Sequence, residues 1–359
     1  MPRNTKAIIN LDAIKTNYLL ANQAAPESKN IAVIKANAYG HGSVQVAKTL
    51  EPLVPAFAVA IFEEALELRE AGISKPILIL QGINDKAELE YAATHNLWTM
   101  VANEIQTKLI TENPLTSRLQ AWLKIDSGMN RLGLNEFNLI KVLEQLQNCQ
   151  WVDENIVLSS HLASASDLSN SKTAKQIQQF NHLTAGLNLT KSIANSAALL
   201  GFPETGLDWN RPGIMLYGLS PFDHFHPMDK LLTPAMSFTS TVIAIREVKK
   251  GDTVGYGDSW KAEHTSTIAT IAVGYADGYP RHASNGTPLL ISSQEASLAG
   301  RVSMDMITAD ISQCKAIKIG DPVELWGDTV NANDVALCAN TIGYDLVTGV
   351  SQRVPRFYC

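Results

Sequence analysis

The octapeptide KANAYGHG, residues 35–42, follows directly on the apolar run IAVI at residues 31–34, so a single lysine ends a short buried strand and opens a glycine-flanked turn. An ammonium leaving a strand core must be paired, neutralised or used covalently, because burying an isolated charge is costly. A lysine desolvated in this way has a lowered pKa and can form a Schiff base with an aldehyde cofactor. An arbitrary strand-end lysine more often snorkels to solvent. Around Lys35, however, Tyr39, Gly40, His41 and Gly42 make a backbone-permissive polar turn with a phenol able to reach a phosphate, which favours the cofactor-holding reading.

Other ionisable residues recur at the ends of other apolar runs. Lys124 and Asp126 end LQAWLKID, His161 ends IVLSSHL, Asn195 and Ser196 end SIANS, and Arg211 opens RPGIMLYGL. In a barrel the C-terminal strand ends line the active site. Taken singly, His161 reads as a satisfied core histidine and Arg211 as a structural ion pair; their convergence on one rim is poorly explained by stability alone. Asn195 and Ser196 precede the helix-like AALLGF, and Gly213 and Ile214 follow Pro212, so backbone N–H groups at either place could cradle a phosphate or merely belong to an ordinary cap. His224 and His226 in SPFDHFHPMD lack a third ligand at suitable spacing and read as a surface loop, and GYGDSW and GYADGY read as β-turns.

The elements that must position these groups are legible as alternation. The runs IAVIKA, FAVAI, PILILQ, WTMVA, LQAWLKI, NIVLSSHL, SIANS and GIMLYGL are eight strand candidates. Between them, residues 62–72, 86–96, 136–148 and 173–187 repeat apolar side chains at helical spacing. An opening strand AIIN and a helix that Asp12 could cap precede them. This alternation predicts an α/β fold, a (β/α)8 TIM-type barrel over residues 1–234. After Pro234 the pattern changes to short alternating strands, SFTSTVIAIREV, STIATIAVGY, TPLLISS, MITADI and DPVELWG, separated by KKGD, SNGT and KIGD turns. A smaller, mostly β domain is therefore expected over residues 235–359.

Bulk properties exclude several classes. The 359 residues carry a net charge of −6 with no block of like charges, which implies no nucleic acid and no anionic membrane surface as partner. Four scattered cysteines form no ligand pattern and read as reduced. Neither an apolar leader nor a run long enough to span a bilayer occurs, so a cytoplasmic protein is the default expectation.

Across essentially its whole length the chain resembles the alanine racemases: KANAYGHG, KIDSGMNRLGL, NSAALL, NRPGIMLYGL, VGYGDSW, VGYADGYPR, GRVSMDM and RVPR each look like a block of that family, in its order. The resemblance implies that Lys35 holds pyridoxal 5′-phosphate (PLP). It implies further that Tyr39, Ser196, Gly213 and Ile214, with Asn195 beside them, bind the phosphate. Arg211, supported by His161, would face the pyridine nitrogen, and Arg131 would touch the cofactor's phenolic oxygen and the substrate carboxylate. Lys124 matches a lysine that is carbamylated in some members. From the second domain, Tyr256 would be a catalytic base, Met304 would bind the carboxylate through its N–H, and Tyr275, Arg281 and Asp305 would shape the approach. Two positions depart from the family: Gln352 stands where a tyrosine often precedes RVPR, and Ser166, followed by Asp167, stands where an aspartate is common.

Racemisation requires proton removal on one face of a carbon and return on the other, and Lys35 and Tyr256 are the natural pair. A phenol, with an ordinary pKa of ~10, needs neighbouring cations to act near neutral pH. Arginine is donor-only, so a nitrogen facing Arg211 would stay an acceptor. The expected function is interconversion of L- and D-alanine on PLP, supplying D-alanine for peptidoglycan, by a homodimer with shared active sites. A broader racemase accepting serine, a PLP-binding homeostasis protein and a metal-dependent barrel hydrolase are the rival readings.

Overall fold

Most of the apolar runs become parallel strands buried on both faces, which is why they read as continuous rather than alternating hydrophobic sequence; the strand at SIANS is instead Thr190–Ser192, with Thr190 exposed. In the computed structural model, which describes residues 4–359, Ala32–Val33, Phe57–Val59, Ile77–Ile79, Leu97–Val101, Ala121–Lys124, Val157–Ser159 and Thr190–Ser192 pair in chain order. Trp209–Asn210 closes the ring. It lies parallel to Lys29–Asn30 on one side, while Arg211 N–H donates to Ala194 O on the other, and the Val33 N–H donates to Pro212 O, both at 3.0 Å. The eighth strand is therefore WN, not the predicted GIMLYGL, whose residues Ile214–Tyr217 form a buried 3-10 turn. A short, fully apolar run does not distinguish a strand from a buried helical turn by periodicity.

The intervening helices Phe62–Glu70, Lys86–Thr94, Leu139–Gln147 and Ser171–Leu183 fall within four residues of the predicted spans at every end. The first helix, Leu11–Ala24, is capped by Asn10, whose Oδ1 accepts the Ala13 N–H at 2.9 Å; Asp12 instead lies in the first turn and pairs with Lys15 at 2.8 Å. A cap must precede the helix with extended backbone, a condition Asn10 meets and Asp12 does not. The opening strand Lys6–Ile9 joins the other domain's sheet, antiparallel to Met236–Val248 and parallel to Arg356–Tyr358.

That second sheet turns on the thirteen-residue strand Met236–Val248, which pairs with Pro322–Trp326 through its first half and Ser266–Ile271 through its second. A bulge between Val242 and Ala244 leaves Ile243 unpaired and exposed, and such bulges bend a strand and increase its twist. The bend lets six strands close on themselves through Ile307–Asp310, Gln294–Leu298 and Pro288–Ile291. The helices Ala332–Cys338 and Gly343–Gly349 follow, and the second reaches back against the turn behind Lys35. Among the described residues no helix is long and apolar enough to cross a membrane.

Candidate active site

Lys35 stands two residues beyond the first barrel strand, at the start of an unusual backbone. Ala36, Asn37, Ala38 and Tyr39 all have φ between +51° and +53°, a left-handed helical turn that Gly40 ends at φ +82°. For L-residues this conformation costs roughly 1–2 kcal/mol each, so the surroundings must impose it. Glu64 does so from the helix Phe62–Glu70, its Oε1 accepting the Ala36 N–H at 2.5 Å and its Oε2 the Ala60 N–H at 2.7 Å. Asn37 Oδ1 accepts the Ser43 N–H at 2.8 Å. Burial, then the Arg131 guanidinium, lower the Lys35 pKa against the opposing charge of Glu64, which favours a neutral, nucleophilic amine.

The turn overlooks a cavity of about 660 Å³ at the C-terminal ends of the barrel strands, within the usual range for small-molecule sites. Lys35, Lys124, Arg131, His161 and Arg211 line it, and no carboxylate does among the described residues. Asp126, beside Lys124, is turned to the backbone, its Oδ1 accepting the N–H groups of Gly128, Met129 and Asn130 at 2.9–3.1 Å. Burial and the charges of Arg211 and Arg131 hold Lys124 far below an ordinary lysine. Burial and the charge of Lys124 hold His161 well below an ordinary histidine. Arg211, its pKa lowered by burial to about 10, donates to Ser192 Oγ and Ser160 O. Those two oxygens orient it; His161 makes no hydrogen bond to it.

At the cavity's other corner, Ser196 Oγ accepts the Gly213 N–H at 2.8 Å and the Met215 N–H at 3.4 Å. Asn195 also lines the cavity, but its side chain caps the helix Ser196–Gly201 by accepting the Ala198 N–H. A Cβ on Gly213 would lie 2.6 Å from the Tyr39 hydroxyl, so glycine is what lets that phenol approach the Gly213 and Ile214 backbone. Tyr344, from the second domain of the same chain, lines the same corner 6.1 Å from the Tyr39 ring. Sequence reading looked for a tyrosine at position 352 and missed Tyr344, eight residues earlier. Its signal was an aromatic at the first turn of a helix, indistinguishable from a core residue without the fold.

Tyr256, Met304, Tyr275, Arg281 and Asp305 do not line this cavity. They gather on an exposed face of the second domain. Tyr256 is 67% and Met304 54% exposed; the Met304 carbonyl accepts the Ala276 N–H at 3.0 Å, while its own N–H has no partner among the described residues. Arg281 lies 5.9 Å from the Tyr275 ring centroid. Asp305 pairs with Arg353 at 2.6 Å, and Arg353 also reaches the buried Asp277 at 2.7 Å, so the RVPR arginine organises this face. Ser166 Oγ donates to Asp223. The His226 ring accepts the Met228 N–H and packs on Phe222 in a loop.

A cluster of basic side chains with no carboxylate in the lining among the described residues suits an anionic occupant, and a hydroxyl, a phenol and a glycine-bordered backbone at one corner suit a phosphate. The residues present therefore fit PLP. Comparison with known proteins points the same way. The chain matches the family description "Alanine racemase, N-terminal domain" over residues 9–221 and "Alanine racemase, C-terminal domain" over residues 235–358. It is 44% identical over 358 residues to the alanine racemase of Chromohalobacter salexigens, covering 100% of this chain and 98% of that one. Against the alanine racemase of Vibrio cholerae it is 42% identical, covering 98% and 97%. Among solved structures, biosynthetic alanine racemase from Pseudomonas aeruginosa superposes with a TM-score of 0.96 at 41% identity, covering 99% of each chain. Alanine racemase from Bartonella henselae with covalently bound pyridoxal phosphate does so at 0.90 and 31% identity, covering 100% of each.

Proposed function

The chain belongs to the alanine racemase family and is thus a PLP-dependent isomerase, and from that premise we propose that it interconverts L- and D-alanine, with Lys35 and Tyr256 as its two bases. The observation that carries the reading is Lys35, a lysine of lowered pKa at the head of the left-handed turn, facing a cavity lined by no carboxylate among the described residues, with phosphate-suited groups at its far corner. Lys35 would hold the cofactor covalently, Tyr39, Ser196, Gly213 and Ile214 its phosphate, and Arg211 its ring nitrogen. When bound, PLP withdraws electrons from the substrate's α-carbon and so acidifies its proton.

The chain's own groups supply the rest. Lys35 Nζ, its pKa lowered by burial, takes or returns the α-proton on one face. The Tyr256 hydroxyl, brought by a second copy, serves the opposite face. Arg131 and the free Met304 N–H bind the substrate carboxylate. Arg211, tied to Ser192 and Ser160, presents N–H donors only, so the nitrogen it meets must accept. Burial lowers the Lys124 pKa toward the uncharged form that adds carbon dioxide, and a carbamate there would give Arg131 an anionic partner. The same reading carries a homodimer, a cytoplasmic location and D-alanine supply for the cell wall.

Incubation of the purified protein with L-alanine should yield D-alanine, and Lys35→Ala should abolish this. Borohydride reduction followed by peptide mapping should find the cofactor on the peptide containing Lys35. Label on Lys124 or elsewhere would overturn the assignment.

A further inference from the structure

His41 takes no part in the chemistry described above, yet it is fully buried directly beneath the left-handed turn. Its Nδ1 lies 3.1 Å from Ala38 O and 2.9 Å from Tyr39 O. Both partners are carbonyls, which only accept, so Nδ1 carries the hydrogen and the tautomer is settled by the contacts. The Ala38 carbonyl also accepts from the His41 N–H, whereas the Tyr39 carbonyl has no other partner among the described residues. The ring stacks on Tyr217 at 4.5 Å, and Tyr217 packs on Tyr39 at 4.9 Å while donating its hydroxyl to Val33 O at 3.0 Å. His41 is thus fixed from below by an aromatic that also touches the residue it holds.

We propose that His41 is a positioning residue for cofactor binding: its Nδ1–H, bridging the Ala38 and Tyr39 carbonyls, fixes the left-handed turn and so aims the Tyr39 hydroxyl at the phosphate corner. The proposal rests on the reading of that corner as the PLP phosphate site. Three observations support it together. Ala36, Ala38 and Tyr39 have no intrinsic preference for this backbone. Glu64 and Asn37 secure the start and middle of the turn and Arg356 Nε donates to the Gly40 carbonyl that ends it, but among the described residues only His41 holds the Tyr39 carbonyl. Burial pushes the His41 pKa down to about 4, so the ring stays a neutral donor through the physiological range.

The test uses holoenzyme and two variants. His41→Phe keeps a ring against Tyr217 and removes the donor; His41→Asn restores a donor near the Nδ1 position without the ring. His41→Phe should weaken PLP binding about tenfold by equilibrium dialysis and speed amide hydrogen exchange over residues 36–42 by a similar factor, with His41→Asn recovering most of both. If His41 acts through Tyr39, adding His41→Phe to Tyr39→Phe should weaken binding little beyond the worse single variant. Additive losses, or exchange in His41→Phe equal to wild type, would overturn the proposal. Wild-type protein that took up no PLP would instead refute the reading of the corner, and the exchange comparison would still decide what His41 does.

Discussion

At the scale of single residues, burial lowers the pKa of Lys35, Lys124, His161 and the neighbouring His41, and that has a consequence for stability. His41 titrates near pH 4 in the fold and near 6.5 when unfolded. As pH falls through 6.5 the unfolded chain gains this proton first. The residue's contribution is therefore fully present above pH 6.5 and is lost progressively down to about pH 4, a total of about 3 kcal/mol. His161, lowered well below 6.5, adds a slope of the same sign. Urea unfolding at several pH values should show stability declining below 6.5, with His41→Asn giving a visibly flatter profile; parallel profiles would exclude a neutral buried His41. Lys35, Lys124 and His161 were legible in sequence because each is a charged or polar residue ending an apolar run, and Arg211 because it opens one. Glu64, Ser192 and Tyr344 were not, because what makes them matter is a contact between elements far apart in the chain.

Among the elements, the left-handed turn carries the clearest prediction. Gly40 has φ +82°, and a Cβ there would stand 2.1 Å from the Val347 carbonyl oxygen on the helix packed against it. Gly72 has φ +88°, and a Cβ there would meet nothing within 4 Å. Alanine at position 72 incurs only the backbone term, about 1 kcal/mol, whereas alanine at position 40 adds a backbone clash and should cost about 3 kcal/mol or more. Equal losses in denaturant midpoint would mean the helix Gly343–Gly349 does not press on the turn. Parallel strands and amphipathic helices showed in the sequence because burial on both faces, or on one stripe, leaves a periodic trace. The eighth strand did not, since two residues, Trp209 and Asn210, close the barrel while the more apolar GIMLYGL folds as a 3-10 turn beside them. Gln294–Leu298 escaped for the opposite reason: QEASL carries two charged or amide side chains on a half-exposed strand.

For the whole molecule, the disposition of the two proposed bases is the deciding fact. Lys35 faces a cavity made by the barrel and Tyr344, while Tyr256 sits on an exposed face of the second domain and does not line that cavity. On the proposed assignment one chain would hold half of each of two sites, and a homodimer in which each second domain completes the other's barrel would make both whole. Subunits carrying Lys35→Ala should be inactive alone, as should subunits carrying Tyr256→Phe. After dissociation and reassociation of an equal mixture, about half the dimers are mixed, and in each of these one site has both lesions while the other pairs an intact lysine with an intact tyrosine. Recovered activity should approach about a quarter of wild type, provided the two sites of a dimer act independently. Were both bases supplied by one chain, every site would keep one lesion, and a mixture no more active than its parents would rule out the shared arrangement.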